Sequence, residues 1–445
     1  MQTLRNQAAA LANGTTTSRA LIEHSLARIA DPAGQGATAF LRVYAEQARA
    51  CADAMDGLRR ANRAPGPFAG IPISIKDLFD VAGEPTPAGS VVLADAPVAA
   101  RTAPAIARLL AAGLIPVGRT NMTEFAFSGV GINPHYGTPL SPYDRAAGRI
   151  PGGSSSGAAV SVADGMVAAG IGTDTGGSCR IPAALCGIAG FKPTQRRVPL
   201  DGALPLSPSL DSIGPLASTA ACCAAVDAIL AGTPERVLAA AELPGLRLLL
   251  PENFAFDHLD AATDRAFERA VLRLERAGAL IDRRRLAAFD DITTANARGG
   301  FAATEAFAWH QDLLARAAAR YDPRVATRIQ PGGTMPAADY FRLMQARARI
   351  IADFAAEMAH YDAVIMPTVP IAPPRVSAFA EDAEYRRLNF LLLRNPSSIN
   401  FLDGCAISVP CQDAGAPPAG LMLAGPAGTD TRILAIAMGV EGILN

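Results

Sequence analysis

Lysine is nearly absent from this sequence, in which only Lys76 and Lys192 are lysines among 40 basic residues. Arginine supplies the rest, so the two lysines are candidates for positions where arginine fails. A buried lysine can lose its proton and act as a base, whereas arginine stays charged. Two glycine- and serine-rich clusters follow Lys76, at residues 151–157 and 172–178. A lysine followed by two glycine-cradled serines indicates a hydrolase, although chance explains Lys76 taken alone equally well.

The second cluster ends in two glycines directly before Ser178. Glycine lets the backbone approach a substrate closely, and Pro182 suits the first turn of a helix. We therefore expect Ser178 at a helix N-terminus, with the N–H groups of residues 175–178 around a developing oxyanion. An ordinary strand-to-helix turn is the simpler alternative. A phosphate-binding loop is disfavoured, because Thr175 stands where a dinucleotide-binding loop needs glycine.

Ser178 needs a base, because a serine hydroxyl is unreactive until a neighbouring group removes its proton. Neither cluster contains a histidine. Lys76 can serve as that base if it is buried, because desolvation favours its neutral form. Ser154, in the first cluster, is suited to carry the proton between Lys76 and Ser178. The combination of the three residues is a far more specific signal than any one of them.

Together, these residues resemble the amidase signature family, whose members use a Ser-cisSer-Lys triad. The resemblance is strong over residues 65–220 and weaker over residues 361–425. Its motifs are Gly70-Ile-Pro-Ile-Ser-Ile-Lys76-Asp77, Arg119-Thr-Asn-Met-Thr-Glu-Phe125, Pro151-Gly-Gly-Ser154-Ser-Ser-Gly157, Gly172-Thr-Asp-Thr-Gly-Gly-Ser178-Cys-Arg180 and Gly190-Phe-Lys192-Pro-Thr194.

The resemblance implies that Lys76 is the base, Ser154 the relay and Ser178 the nucleophile. It also implies a cis peptide bond between Gly153 and Ser154. The number of residues between Ser154 and Ser178 matches the family spacing, which selects Ser154 rather than Ser155 as the relay.

Other residues of the second cluster match the loop that forms the oxyanion hole in this family. The backbone of Thr175, Gly176 and Gly177 is implied to bind the oxyanion. Asp174 and Arg180 are interpreted as scaffold charges that hold the loop. Two more positions are interpreted as supporting, Ser155 and Lys192.

The reaction implied by the resemblance is a two-step hydrolysis of a carboxamide through an acyl-enzyme, without a metal or an organic cofactor. The low charge near the motifs favours a small or aryl carboxamide, preferably a neutral one, or a urea-like amide. The predicted enzyme is thus an amidohydrolase, with the simple amidases (EC 3.5.1.4) as the preferred class.

Two other functions are left open. The family includes the glutaminase (A) subunit of tRNA-dependent amidotransferases, whose glutamine-using members tend to carry an acidic residue before a Gly-x-Pro-x-Gly stretch. Residues 411–420 depart from that pattern, with a glycine at the nearest matching position. A non-catalytic binding protein is disfavoured because all three residues of the triad are present.

The composition of the chain limits the kinds of partner that we expect the protein to bind. Half of the 445 residues are apolar and the net charge is −1, so we expect a large core and no basic face for nucleic acid. Seven cysteines and five histidines lack metal-ligand spacing. With no signal-peptide pattern and no apolar run of membrane-spanning length, we predict a cytoplasmic protein that acts on a small amide, without membrane contact. Whether it forms a homodimer is left open.

Strand-like and helix-like segments alternate around the motifs, which predicts an α/β fold. We expect one large mixed, mainly parallel twisted sheet with helices on both faces. Residues 1–62 are predicted as a helical segment and residues 63–231 as the core with the catalytic loops. Residues 232–345 are predicted as a mostly helical insertion that covers the substrate, and residues 346–445 as the rest of the core sheet.

Overall fold

In a computed structural model of the chain, residues 3–233 and 238–444 are described. The remaining residues, which belong to three of the four predicted segments, lie outside the described residues. They are Met1, Gln2, residues 234–237 and Asn445.

Within the described ranges, eleven strands form a single sheet. In chain order they are β1 (Phe40–Val43), β2 (Pro72–Lys76), β3 (Ile115–Thr120), β4 (Ala169–Asp174), β5 (Ala189–Lys192), β6 (Ser212–Ala217), β7 (Arg247–Pro251), β8 (Leu280–Arg284), β9 (Ala363–Pro367), β10 (Cys405–Pro410) and β11 (Gly420–Gly425). Their spatial order is β1-β3-β2-β4-β6-β5-β10-β11-β9-β7-β8.

The sheet is mixed as predicted, but the expectation of a mainly parallel sheet is wrong. Of the ten neighbouring pairs formed by the described strands, six are antiparallel. The parallel pairs are β2–β3, β2–β4, β7–β8 and β7–β9, whose strands are connected through helices. The connection from β10 to β11 is a short loop over residues 411–419, which is too short for the crossover that a parallel pair needs.

Helices cover the sheet. They are α1 (Leu4–Ala12), α2 (Ser18–Ala30), α3 (Gly36–Ala39), α4 (Ala45–Arg60), α5 (Pro104–Ala111), α6 (Ser156–Ala163), α7 (Arg180–Cys186), α8 (Ala220–Ala231), α9 (Ala261–Arg276), α10 (Ala287–Ala295), α11 (Phe301–Ala317), α12 (Pro323–Ile329), α13 (Ala337–Glu357), α14 (Asp382–Phe401) and α15 (Asp430–Leu444).

Both faces of the sheet are buried, because alternate residues of each strand point to opposite sides. Ile365 of β9 packs into a core shared with α5, α8, α9 and α15. Its neighbour in the strand, Val364, packs on the opposite face with α10, α13 and α14. Nearer the other end of the sheet, Val117 of β3 packs with α2, α4 and α6. The prediction of helices on both faces is confirmed.

The predicted segments differ in how much of the sheet they supply. Residues 232–345 contain α9–α12 and are mostly helical, but they also contribute β7 and β8 at one end of the sheet. Residues 1–62 contribute β1 at the other end. The division of the chain into four segments itself stays a prediction.

Candidate active site

The site lies at the carboxyl ends of β2 and β4, which are parallel neighbours. Ile75 of β2 pairs with Ile171 of β4, so the residues that follow these two emerge at the same edge of the sheet. Lys76 is the last residue of β2, and Asp174 is the last residue of β4. Strand ends of this kind are where α/β sheets present polar groups to ligands.

Lys76 is fully buried, and its ammonium group has two oxygen partners. Nζ donates to Ser154 Oγ at 2.7 Å and to Thr173 Oγ1 at 2.9 Å. Burial lowers the pKa of Lys76 to about 8, because a charged ammonium is costly away from water. A fraction of the molecules therefore carries Lys76 in its neutral, basic form near neutral pH.

Ser154 reaches Lys76 from the loop that precedes α6. The peptide bond between Gly153 and Ser154 is cis, as the resemblance implied. The Ser154 carbonyl accepts from the N–H of Thr123 at 3.1 Å, and the N–H of Ser155 donates to the Ser178 carbonyl at 3.3 Å. The two serine clusters are thus hydrogen-bonded to each other, and Ser154 is placed between Lys76 and the loop of Ser178.

Ser178 is nearly buried, with 3% of its surface exposed. Among the residues that the structure describes, its hydroxyl has no hydrogen-bond partner, which leaves it available to an incoming substrate. The adjacent Cys179 thiol lies within 3.5 Å of the Gly214 carbonyl, in the core. Burial raises the pKa of Cys179 well above its usual value, so this thiol is not a competing nucleophile.

The loop between β4 and α7 is held by the Asp174 carboxylate. It accepts from the N–H of Gly177 at 2.8 Å and from the N–H of Cys179 at 3.1 Å. Gly177 has a φ of +124°, and a Cβ at that position would come within 2.6 Å of Pro396. Only glycine therefore fits at position 177.

The oxyanion role implied for Thr175, Gly176 and Gly177 stays a prediction. In this structure the N–H of Gly177 donates to Asp174. The N–H groups of Thr175, Gly176 and Ser178 have no acceptor within the described part of the chain. They are the donors of this loop that remain available to a substrate oxygen.

Arg180 pairs with Asp174 in the interior, and both side chains are fully buried. Nη2 lies 2.9 Å from Asp174 Oδ1 and 2.7 Å from Asn400 Oδ1 of α14. Asn400 Nδ2 donates in turn to Asp174 Oδ1 at 2.9 Å. Burial alone would raise the pKa of Asp174, but the Arg180 guanidinium outweighs it and holds that pKa well below its usual value.

Replacing Asp174 with asparagine is expected to lower the free energy of unfolding by about 3–5 kcal/mol, because the buried Arg180 charge would lose its counter-charge. Urea unfolding followed by circular dichroism measures the change. The matched control is Asp290→Asn, which removes the acid of the exposed Arg285–Asp290 pair and should leave the unfolding free energy unchanged. Equal stability of both variants would contradict the scaffold role of Asp174.

A cavity of about 310 Å³ opens beside these groups. Thr173 and Thr175 line it together with Ala126 and the loop of residues 200–208. Asp211 also lines it, and its carboxylate accepts from Thr175 Oγ1 at 2.5 Å. Burial raises the pKa of Asp211 to about 7. A larger cavity of about 930 Å³ lies at the opposite end of β2 and β4, remote from Lys76.

Sequence analysis did not identify two residues that contribute to the site. Thr173, the second acceptor of Lys76, stands next to a motif aspartate, but its residue type carries no signal. Asn400 lies far along the chain, and no spacing pattern links it to Arg180. In the described residues, no group of three or more His, Cys, Asp or Glu is placed to hold a metal ion, and no helix is long and apolar enough to cross a membrane.

Comparison with known proteins shows which family the chain belongs to. The family model described as Amidase matches residues 20–434, which is most of the chain. The chain belongs to the amidase family. The resemblance read from the motifs is thereby confirmed, and the protein is an amidase signature enzyme of the amidohydrolase type.

The matches to individual relatives cover most of this chain and most of each relative. A 2-amino-5-chloromuconic acid deaminase from Comamonas testosteroni is 37% identical, over 89% of this chain and 87% of the relative. The A subunit of a glutamyl-tRNA(Gln) amidotransferase from Thioalkalivibrio sulfidiphilus is 33% identical, over 98% of this chain and 96% of the relative. A crystal structure of an amidase superposes with a TM-score of 0.89 at 31% identity, and the match covers 100% of both chains.

Proposed function

We propose that this amidase hydrolyses a small carboxamide through an acyl-enzyme on Ser178, with Ser154 as the proton relay and Lys76 as the base. The observation that carries the proposal is the 2.7 Å hydrogen bond from the buried Lys76 to Ser154. A lysine with its pKa lowered to about 8 can accept a proton near neutral pH, and a serine beside it can pass one on.

In the proposed acylation, Ser178 Oγ attacks the amide carbonyl while its proton moves to Ser154, whose own proton moves to Lys76. The tetrahedral oxyanion is bound by free N–H groups of the loop, with each donor worth roughly 3 kcal/mol. The C–N bond then breaks, and the proton returns through the same path to the leaving nitrogen. Water then attacks the acyl carbonyl while its proton moves through Ser154 to Lys76. The ester C–O bond breaks as a proton returns by that path to Ser178 Oγ, which frees the carboxylic acid and Ser178.

The size of the neighbouring cavity supports the substrate class. A volume of about 310 Å³ accommodates a small or aryl carboxamide. The relative from Comamonas testosteroni is named for deamination of 2-amino-5-chloromuconic acid, which supports a small organic substrate here as well. A simple amidase of class EC 3.5.1.4 is the specific activity that we propose.

The A subunit of an amidotransferase is the second candidate, because one such protein matches nearly the whole chain. The loop where glutamine-using relatives tend to place an acid argues against it. Its only acidic residue, Asp413, is about half exposed and pairs with Arg269 on α9 at 2.7 Å. Ammonia release from glutamine by the purified protein, alone or with partner subunits, would favour this second candidate. Absence of release in both cases, with active labelling of Ser178, would exclude it.

A fluorophosphonate probe tests the proposal directly. We expect a covalent adduct on Ser178, found by peptide mass spectrometry, in the wild type and not in Lys76→Ala. Ser155→Ala is the matched control, since within the described residues the Ser155 hydroxyl donates only to the Thr173 carbonyl, at 3.4 Å. This variant should still be labelled. An adduct on another residue, or no adduct on folded wild-type protein, would overturn the assignment.

The cytoplasmic location, the lack of nucleic-acid partners and the oligomeric state stay predictions.

A further inference from the structure

One wall of the cavity is formed by residues 206–209, which we call the wall segment. Its first and third residues, Leu206 and Pro208, line the cavity. The second and fourth residues are serines, and both of their hydroxyls donate to the carboxylate of Glu305 on α11. The apolar side of the wall segment thus faces the space for a substrate, and its polar side faces α11.

Glu305 accepts four hydrogen bonds, of which three come from the wall segment. Oε2 accepts from Ser207 Oγ at 2.6 Å and from the N–H of Ser209 at 3.0 Å. Oε1 accepts from Ser209 Oγ and from the Tyr340 hydroxyl of α13, the latter at 2.7 Å. Hydrogen bonds to a charged acceptor are stronger than those between neutral groups. One carboxylate therefore joins the wall segment to two helices.

The preceding part of the same loop is fixed by the core of the protein instead. The N–H of Leu204 donates to the Leu78 carbonyl at 2.9 Å, and the N–H of Asp80 donates to the Gly202 carbonyl at 2.7 Å. Leu78 and Asp80 closely follow β2 in the chain. In the described part of the chain, the wall segment has no backbone hydrogen bond to a strand, so side chains must hold it.

Two carboxylates hold the wall segment from opposite sides. On the inner side, Asp211 accepts from the N–H groups of Leu206 and Ser207, both at 3.0 Å. Ser207 therefore bonds to Asp211 through its N–H and to Glu305 through its hydroxyl. Within the described ranges, the one other side chain that bonds to the segment is Gln195, at the surface. Glu305 thus supplies most of the outer attachment.

We propose that Glu305 is a positioning residue that sets the size limit of the cavity by holding the wall segment in place. This inference rests on the proposed function and deepens it, because it names what restricts the enzyme to small carboxamides. Without the carboxylate, both serine hydroxyls of the segment lose their acceptor. The segment can then move outward together with Leu206 and Pro208, and the cavity admits longer substrates.

Fluorophosphonates with straight alkyl chains of graded length, from methyl to dodecyl, provide the test. The rate at which each probe labels Ser178 reports how well its chain fits the cavity. In the wild type, we expect the rate to fall about 10-fold or more beyond a limiting length, the lower end of what a pocket achieves by size alone. In Glu305→Ala, we expect the ratio of the dodecyl rate to the methyl rate to rise by a similar factor.

Variants of the contact partners connect this ratio to the wall segment. Ser207→Ala combined with Ser209→Ala removes both hydroxyl donors but keeps Glu305, so it should raise the ratio too. This double variant also covers the case that Glu305→Ala folds poorly. Glu305→Gln keeps the length of the side chain and one acceptor oxygen, and it should remain near the wild-type ratio.

Glu268→Ala is the matched control. Glu268 lies on α9, is about half exposed and pairs with Arg283 at 3.6 Å. It makes no hydrogen bond to the wall segment, so its replacement should leave the ratio unchanged. A rise in this variant as well would mean that any loss of a glutamate loosens the cavity, and it would refute the specific role of Glu305.

The failures of the inference and of the proposed function are distinguishable. An unchanged ratio in both Glu305→Ala and the double serine variant would make Glu305 a purely structural residue. A wild-type rate that does not depend on chain length would equally overturn the size limit, while labelling of Ser178 still supports the hydrolase. Absence of labelling by every probe in the wild type would overturn the proposed function, and this inference with it.

Discussion

Replacing Lys76 with arginine is expected to slow acylation of Ser178 by about 10³- to 10⁴-fold, toward the upper end of what a positioned base contributes. Arginine keeps the positive charge but cannot lose its proton, so the variant separates charge from basicity. The rate of labelling by a fluorophosphonate measures acylation without knowledge of the natural substrate. Thermal unfolding by circular dichroism shows whether the variant keeps the fold.

The pH dependence of the wild type supplies an independent check on the same residue. Because burial lowers the pKa of Lys76 to about 8, its neutral fraction grows as the pH rises toward that value. The labelling rate should therefore increase from pH 6 and level off above about pH 8. Since arginine is bulkier than lysine, Lys76→Met serves as the second variant, and it should be equally slow. Turnover near the wild-type level in either variant would refute the assignment of the base.

Replacing Ser154 with alanine is the second expected large effect, a loss of roughly 10²- to 10³-fold in the rate of labelling. The substitution removes the oxygen that accepts from Lys76 at 2.7 Å and leaves Lys76 hydrogen-bonded to Thr173 alone. Some slow labelling of Ser178 should persist, because the N–H donors of the loop do not depend on the relay.

Ser155→Ala is the control for that variant. Ser155 is as buried as Ser154, but among the described residues its hydroxyl donates only to a backbone carbonyl, at 3.4 Å, and makes no hydrogen bond with Lys76. We expect it to cost less than about ten-fold in the labelling rate, within the span of a single ordinary hydrogen bond. Equal losses in the two variants would mean that Ser154 is not the relay.

The sequence predicted the elements of the fold better than their directions. The strand-like and helix-like segments that alternate around the motifs do form strands and helices, among them β2, β3, α5 and α6. Strand direction depends on which strands become neighbours, and that is decided by packing between distant segments. The pairing of β4 with β6, and of β5 with β10, has no counterpart in any local pattern.

For the candidate site, too, the motifs predicted some features and could not predict others. The structure brings Lys76 and Ser154 into contact, and the hydrogen bond from the N–H of Ser155 to the Ser178 carbonyl links the Ser178 loop to them. The motifs could not show that the Gly177 N–H is used by Asp174, because that depends on the folded shape of the loop.

The contact between Arg180 and Asn400 has a consequence for the protein during its synthesis. The two residues are separated by 220 positions, and Pro396, whose carbonyl also accepts from Arg180, is almost as distant. A ribosome that has just translated β5 has made Lys76 and both serine clusters, but not the helix that braces the loop of Ser178. Contacts between such distant segments form late, because a long loop must close first. We therefore expect a nascent chain to be inert toward cellular amides until α14 has emerged and docked.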